Sequence, residues 1–191
     1  MARDQGIAPR DESFDSVLAA ARVGAPWACT AIWQEYSSAV MAFLASRGSR
    51  EPDDLTSEVF LAVFDRIPRF EGGEPQLRSF IFSIAYRRLV DELRARSRRD
   101  EPTAWTPELD PRAVDSAERD AERRLGDERA RQLLDELVPD QRDVMVLRIV
   151  ADLTVEQVAE VLGKNVGAVK ALQRRALENL RKKVAPTRTP A

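Results

Sequence analysis

The chain has 191 residues, 43% hydrophobic and 32% charged, with a formal net charge of −2 at pH 7. That length suits one domain or two small ones, and the hydrophobic share is enough for a packed core. With no histidine and a single cysteine, Cys29, an internal disulfide framework, a Cys/His zinc site and histidine-based acid–base chemistry are all excluded. No apolar run is long enough to span a bilayer and the N-terminus lacks a signal-peptide pattern, so the expectation is a cytoplasmic protein without membrane insertion. Cys29 lies among Trp27, Ile32 and Trp33, which reads as a small buried hydrophobe rather than a redox sensor.

Residues 1–12 are polar and are expected to form a disordered tail. Phe14, Val17, Leu18 and Ala21 give a short helical stripe that stops near Gly24 and Pro26. A second helix runs from Trp27 to Ser46, with Ile32, Trp33, Tyr36, Val40, Phe43 and Leu44 on a wide apolar face. Arg47 to Pro52 reads as a loop. Asp53 or Asp54 is placed to cap a third helix, whose stripe is Leu55, Val59, Ala62, Val63 and Ile67, with Phe60 and Phe64 beside it. Pro68 closes that helix. The paired glycines of Arg69 to Pro75 argue for a loop.

The strongest helical signal follows. Leu77, Phe80, Ile81, Ile84, Ala85, Leu89 and Leu93 share one face. Arg78, Arg87, Arg88, Arg94, Arg96, Arg98 and Arg99 lie on the other face and at the helix end, an arrangement suited to a solvated surface or to a nucleic-acid backbone. Phe80, Phe82 and Tyr86 are either core or stacking surface, with core favoured for Phe80 because it lies on the stripe. Residues 100–115 contain Pro102, Pro107 and Pro111 with several acids, the composition of a linker. Helicity resumes near Ser116 and continues through Leu125, Leu133, Leu134 and Leu137. Pro139 suits the first turn of a further helix carrying Val144 and Leu147.

Leu153 to Leu180 predicts a helix, a tight turn and a second helix. Thr154 and Gln157 form a capping box, Gly163 supplies the positive φ of the turn, and Asn165 caps the second helix. Val166, Val169, Leu172, Ala176 and Leu180 face inward, with Leu177 at the margin. The opposite face is basic: Lys164, Lys170, Arg174, Arg175, Arg181, Lys182 and Lys183 stand against one acid, Glu178. All four lysines of the chain fall here. Such a face can neutralise phosphates and reach base edges in the major groove. Beyond Val184 a second disordered tail, 185–191, is expected. No strand-forming segment is evident, so the fold class is all-α. No nucleophile–base pair or metal constellation is visible, so neither an enzyme nor a cofactor is expected.

Three segments together, DDLTSEVFLAVFDRIPRF, LRSFIFSIAYRRLVDELRARSRR and LVPDQRDVMVLRIVADLTVEQVAEVLGKNVGAVKALQRRALENLRKK, make the chain resemble the extracytoplasmic-function group of bacterial RNA polymerase sigma factors. The resemblance covers roughly 14–99 and 116–183. It implies a core-binding and promoter-melting domain over 13–99, a linker over 100–115 and a helix-turn-helix domain over 116–184. It implies core RNA polymerase as partner, gripped at the clamp helices of its largest subunit by Asp53, Asp54, Ser57, Glu58 and Phe60, with the C-terminal domain on the β-subunit flap. It implies promoter DNA as the second partner. Arg78, Tyr86, Arg87, Arg88 and Arg94 would serve the minus-ten element. Lys164, Asn165, Ala168, Lys170, Ala171, Arg174 and Arg175 would serve the minus-thirty-five element. The group also implies an anti-sigma factor as a candidate partner.

Several positions depart from the group's pattern. Ser57, Phe80 and Arg87 stand where glutamine, tryptophan and asparagine are frequent. Lys164, Ala171 and Gln173 replace an aliphatic residue, serine and an aliphatic residue. The group's promoter sequences therefore do not transfer to this chain. The competing reading is a stand-alone helix-turn-helix regulator with a dimerising or ligand-binding N-terminal domain, which leaves the arginine-rich helix and the glycine loop without a role.

Overall fold

The computed structural model describes residues 13–99 and 132–184. The expected tails at 1–12 and 185–191, the linker at 100–115 and the resumption of helix near Ser116 lie outside the described residues. The first group of helices is α1 (Phe14–Arg22), α2 (Pro26–Ser46), α3 (Pro52–Arg66), a 3-10 turn (Ile67–Arg69) and α4 (Glu74–Arg99). Residues 132–135 are helical. They precede α5 (Pro139–Ile149), α6 (Val155–Leu162) and α7 (Val166–Val184). No strand occurs among the described residues, and the all-α expectation holds.

Proline sets three of the helix starts. Pro26, Pro52 and Pro139 each occupy the first turn of a helix, where a missing N–H leaves no bond unmade and the fixed φ is already helical. This corrects the expected cap of α3. The helix begins at Pro52, its N-cap is Glu51, and no side-chain cap bond forms. A residue before proline is driven out of the helical region, so the boundary falls at Glu51. Asp53 and Asp54 lie inside the first turn, where their charges meet the positive end of the helix dipole.

The centre of the first group is aromatic. Tyr36, Phe43, Phe60 and Phe82 are all fully buried, and Phe43 meets Phe82 edge to face with ring centroids 5.7 Å apart. On α4 the predicted stripe holds for Leu77, Ile81, Ile84, Ala85 and Leu89. Phe82 joins it, while Phe80 and Leu93 are only half-buried. The cause is non-local: α4 packs against α2 and α3 on one side and α6 on another, so its apolar arc is wider and rotated from a one-sided stripe.

The helix-turn-helix follows its local rules. Thr154 Oγ1 accepts from the Gln157 N–H at 3.2 Å and Gln157 Oε1 accepts from the Thr154 N–H at 2.7 Å, completing the capping box. Gly163 has φ 63°, the left-handed conformation that ends α6. Asn165 Oδ1 accepts from the Ala168 N–H at 2.8 Å. Val158, Ala159, Val161, Val169 and Ala176 are buried. Because the box satisfies two otherwise free donors, Thr154→Ala should cost about 1 kcal/mol of stability, read as a lower urea midpoint with unchanged slope.

The two helical groups touch. The face of α4 packs on α6, and one continuous cluster holds Leu77 and Ile81 together with Val146, Leu153 and Val158. Gln157 Nε2 donates to the Pro75 carbonyl at 2.8 Å.

Candidate nucleic-acid interface

Helix α7 presents the basic surface that its periodicity predicts. With Val169 and Ala176 buried, Lys170, Arg174 and Arg175 are exposed. Ala168 and Ala171 are half-buried between them and leave room for a base edge to approach. These two alanines, Asn165 and Arg175 border a depression of about 380 Å³. Two predicted contacts are partly committed elsewhere. Lys164 Nζ lies 3.0 Å from Asp140 Oδ2, and the Asn165 side-chain oxygen is taken by its capping bond. Arg174 Nε lies 3.8 Å from Glu178 Oε1 with both groups largely exposed, a pair too solvated to hold the arginine away from a phosphate or base.

The second surface is a cleft of about 460 Å³ where the glycine loop meets α4. Phe70 and Phe80 form one wall, with ring centroids 5.2 Å apart. Arg66 and Arg87 line it as cations. The loop is held rigidly. Arg22 of α1 donates to the carbonyls of Phe70 at 3.0 Å and Gly72 at 3.1 Å. Gly72 has φ 133°, and a Cβ there would meet Gln76 Cβ at 2.7 Å, so only glycine fits the turn. Ser79 also lines the cleft. Its buried hydroxyl has no hydrogen-bond partner among the described residues, which is unusual for a buried polar group. Sequence reasoning missed Ser79; its only signal is a serine bordering an apolar stripe.

The predicted minus-ten set divides. Arg87 and Arg94 are exposed. Arg88 is exposed and lies 3.6 Å from Glu58 of α3. Arg78 is half-buried. It contacts Glu74 at 3.5 Å and Asp152 at 4.0 Å and stacks over the Tyr36 ring at 5.4 Å. A phosphate role for Arg78 in this arrangement is thereby corrected, because its charge is already engaged. Tyr86 is likewise occupied. Its hydroxyl donates to Asp143 Oδ2 of α5 at 3.4 Å, and burial together with the Asp143 carboxylate pushes its pKa up to about 12. Asp143 itself is 4% exposed and is paired with Arg47. Burial raises its pKa, with the Arg47 guanidinium opposing that shift.

The third surface is the outer face of α3. Asp53, Asp54, Ser57 and Glu58 are exposed. Phe60 is not: it is 1% exposed and packs between Trp33, 4.8 Å away, and Phe64, 5.8 Å away. Its assignment as a partner contact is corrected, since α2 covers the ring. Leu61 takes the exposed place, 71% open to solvent and one turn beyond Ser57 and Glu58. A leucine off the apolar stripe was the available signal for it.

Comparison with known proteins assigns the chain to a family. Residues 32–99 match the sigma-70 region 2 family and residues 133–182 match the sigma-70 region 4 family. The chain is similar to the ECF RNA polymerase sigma factor ShbA of Streptomyces griseus, with 35% identity over 68% of this chain and 69% of that protein. It is also similar to the ECF RNA polymerase sigma factor SigD of Mycobacterium tuberculosis, with 30% identity over 91% of this chain and 84% of that protein. Among solved structures, CnrH in complex with the cytosolic domain of CnrY shares the fold at TM-score 0.64 and 21% identity, covering 91% of this chain and 97% of that one. RpoE of Bartonella quintana, in complex with the anti-sigma factor NepR, shares it at TM-score 0.63 and 22% identity, covering 82% and 97%. Among the described residues no helix is long and apolar enough to cross a membrane. With regions 2 and 4 both present in order, and similarity that runs through nearly the whole chain, this protein belongs to the extracytoplasmic-function sigma factors of the sigma-70 family, which bind RNA polymerase and direct promoter-specific transcription initiation.

Proposed function

We propose that the three surfaces divide the work of promoter recognition. The outer face of α3 engages the clamp helices of the largest polymerase subunit, with Asp53, Asp54, Ser57 and Glu58 as polar contacts and Leu61 as the apolar anchor. Exposed apolar side chains ringed by charge are the usual centre of a protein interface. The cleft between the glycine loop and α4 takes a base of the minus-ten non-template strand. Phe80 supplies a stacking face, Ser79 a hydrogen bond, and Arg87, Arg88 and Arg94 phosphate contacts. Helix α7 reads the minus-thirty-five element. Lys170, Arg174 and Arg175 reach base edges past Ala168 and Ala171, with Lys164 and Asn165 nearer the backbone.

The observation that carries this reading is the cleft. It combines an aromatic wall, two arginines and a buried hydroxyl that lacks a partner among the described residues. Val138 and Ile149 are 56% and 62% exposed on and beside α5, an apolar surface suited to the β-subunit flap. The anti-sigma complex of the Bartonella neighbour supports an anti-sigma factor as a regulator of this chain too. We place the functional units at 13–99 and 116–184, joined by the acidic segment 100–115. The chain would work in the cytoplasm with the polymerase, without catalysis of its own.

Two measurements test the assignment. With core polymerase, Ser79→Ala and Phe80→Ala should each lower promoter opening while leaving polymerase binding intact. Wild-type opening by both variants would overturn the cleft assignment. The Asp54→Ala, Glu58→Ala double variant should weaken co-purification with core polymerase about tenfold at unchanged helicity. Undiminished co-purification would remove the polymerase contact from α3.

A further inference from the structure

The glycine loop beside the cleft is held by two helices. One is α4: the Gly73 N–H donates to Gln76 Oε1 at 3.1 Å, and the missing Cβ of Gly72 lets Gln76 approach closely. The other is α1. Its last residue, Arg22, donates from Nε to the Phe70 carbonyl at 3.0 Å and from Nη2 to the Gly72 carbonyl at 3.1 Å. Between the two anchored carbonyls stands Glu71, which lines the cleft together with Phe70. Arg22 is not itself one of the lining residues. It is 48 and 50 residues away from its two acceptors in the chain, and it lies outside residues 32–99, the span that matches sigma-70 region 2.

Arginine suits this place for geometric reasons. Its planar guanidinium carries its N–H donors in a fixed fork, whereas an ammonium is a point charge on a flexible stem. Two donors of one plane, set on carbonyls two residues apart, fix both the spacing and the orientation of the peptide units that flank Glu71. The sequence makes such a hold necessary. Gly72 and Gly73 are adjacent, and glycine has more backbone freedom to lose than any other residue, so ordering this segment costs more entropy than ordering an ordinary turn. Helix α1 is a firm base for the arginine. Leu18 and Ala21 are 2% and 1% exposed, and α1 packs on α2 and on the 3-10 turn that leads into the loop.

We propose that Arg22 is a positioning residue for minus-ten recognition: its two bonds set Phe70 and Glu71 in the cleft wall before a strand arrives. That the cleft takes a minus-ten base rests on the function proposed above; the hold of Arg22 on the loop does not. A flipped base offsets its lost stacking only in a pocket that fits it. A site that has its binding shape for part of the time binds in proportion to that fraction. Loss of two charge-assisted bonds therefore lowers strand affinity about tenfold. It also relaxes the base preference, since a wall that moves fits several bases equally.

The test uses the full-length chain. Without polymerase, Arg22→Ala should speed amide exchange at Gly73 about tenfold, because the bond from that N–H to Gln76 depends on the shape of the loop. With core polymerase, the wild-type chain selects from non-template single strands randomised over the minus-ten region, and the selected strand is labelled as the probe. Arg22→Ala should bind this probe about tenfold more weakly, widen the base preference at one position, and co-purify with polymerase as the wild type does. The salt dependence of strand binding should not change, because a residue that touches no phosphate releases no counterion. Arg22→Lys keeps the charge but not the fork and should stay near alanine. Val17→Ala, a control for lost α1 packing, should keep the wild-type preference. Unchanged Gly73 exchange, full rescue by lysine, or an equally relaxed preference in Val17→Ala would overturn the positioning role. So would a salt slope lowered by about one unit, which marks a direct phosphate contact. Faster exchange with an unchanged preference also overturns it, and Phe80→Ala then separates the causes: a relaxed preference there keeps the cleft as the strand site, and an unchanged one removes that reading as well.

Discussion

Phe82→Ala should destabilise the chain by about 3–5 kcal/mol, whereas Phe80→Ala should cost far less and act on promoter opening instead. The two rings are neighbours but one turns into the core and the other lines the cleft. Phe82 is fully buried and stacks edge to face on Phe43, so its removal leaves a cavity that α2 and α4 cannot close without moving a buried helix. Phe80 is half-buried and its ring contact among the described residues is with Phe70, so truncation opens an existing depression. Denaturant unfolding of the two variants checks this directly. Equal losses of stability would mean that Phe80 is core and that the cleft has no aromatic wall to offer a base. The contrast also bears on the departure at Phe80 from the tryptophan frequent in the group. Phenylalanine keeps a stacking face but brings less area and no indole N–H.

Arg175→Ala should weaken minus-thirty-five recognition by the polymerase-bound chain by about 1–3 kcal/mol and relax the preferred base at one position. Arg174→Ala should act similarly if it reads a base. If it contacts only phosphate, it should weaken all sites evenly and lower the salt dependence by about one unit. Arg175 stands beside the half-buried Ala168 and Ala171 at the depression on α7, where a base edge can approach without meeting a large side chain. Binding-site selection with holoenzyme separates these outcomes, and an unaltered preference for both variants would take base reading away from them. Lys164→Ala should have a smaller effect, since that lysine already pairs with Asp140.

Much of the helix-turn-helix was legible because its rules are local. The Thr154–Gln157 box, the left-handed Gly163 and the Asn165 cap join residues within four positions of one another, and no distant neighbour is needed to form them. The basic face of α7 was legible for the same reason, since Val169 and Ala176 set which way the helix turns. The α3 boundary differs from its expected cap although it is local: Asp53 and Asp54 have cap-type side chains, but the Pro52 ring sets the boundary one residue before itself.

What the sequence by itself determined is the order of helices, their all-α class, the turn of the DNA-binding motif and the segregation of charge onto α7 and the end of α4. Periodicity and capping report backbone hydrogen bonds and the dihedral limits of single residues, which act over one or two turns. Only the tertiary structure decided that Phe60 is core and Leu61 surface, that Arg78 is engaged with Glu74 and Tyr36, that Ser79 lines a cleft, and that Asp143 is buried between Arg47 and Tyr86. Asp143 and Arg47 are 96 residues apart. Burial and pKa depend on which atoms displace water from a side chain, and those atoms come from other helices whose approach no local pattern encodes.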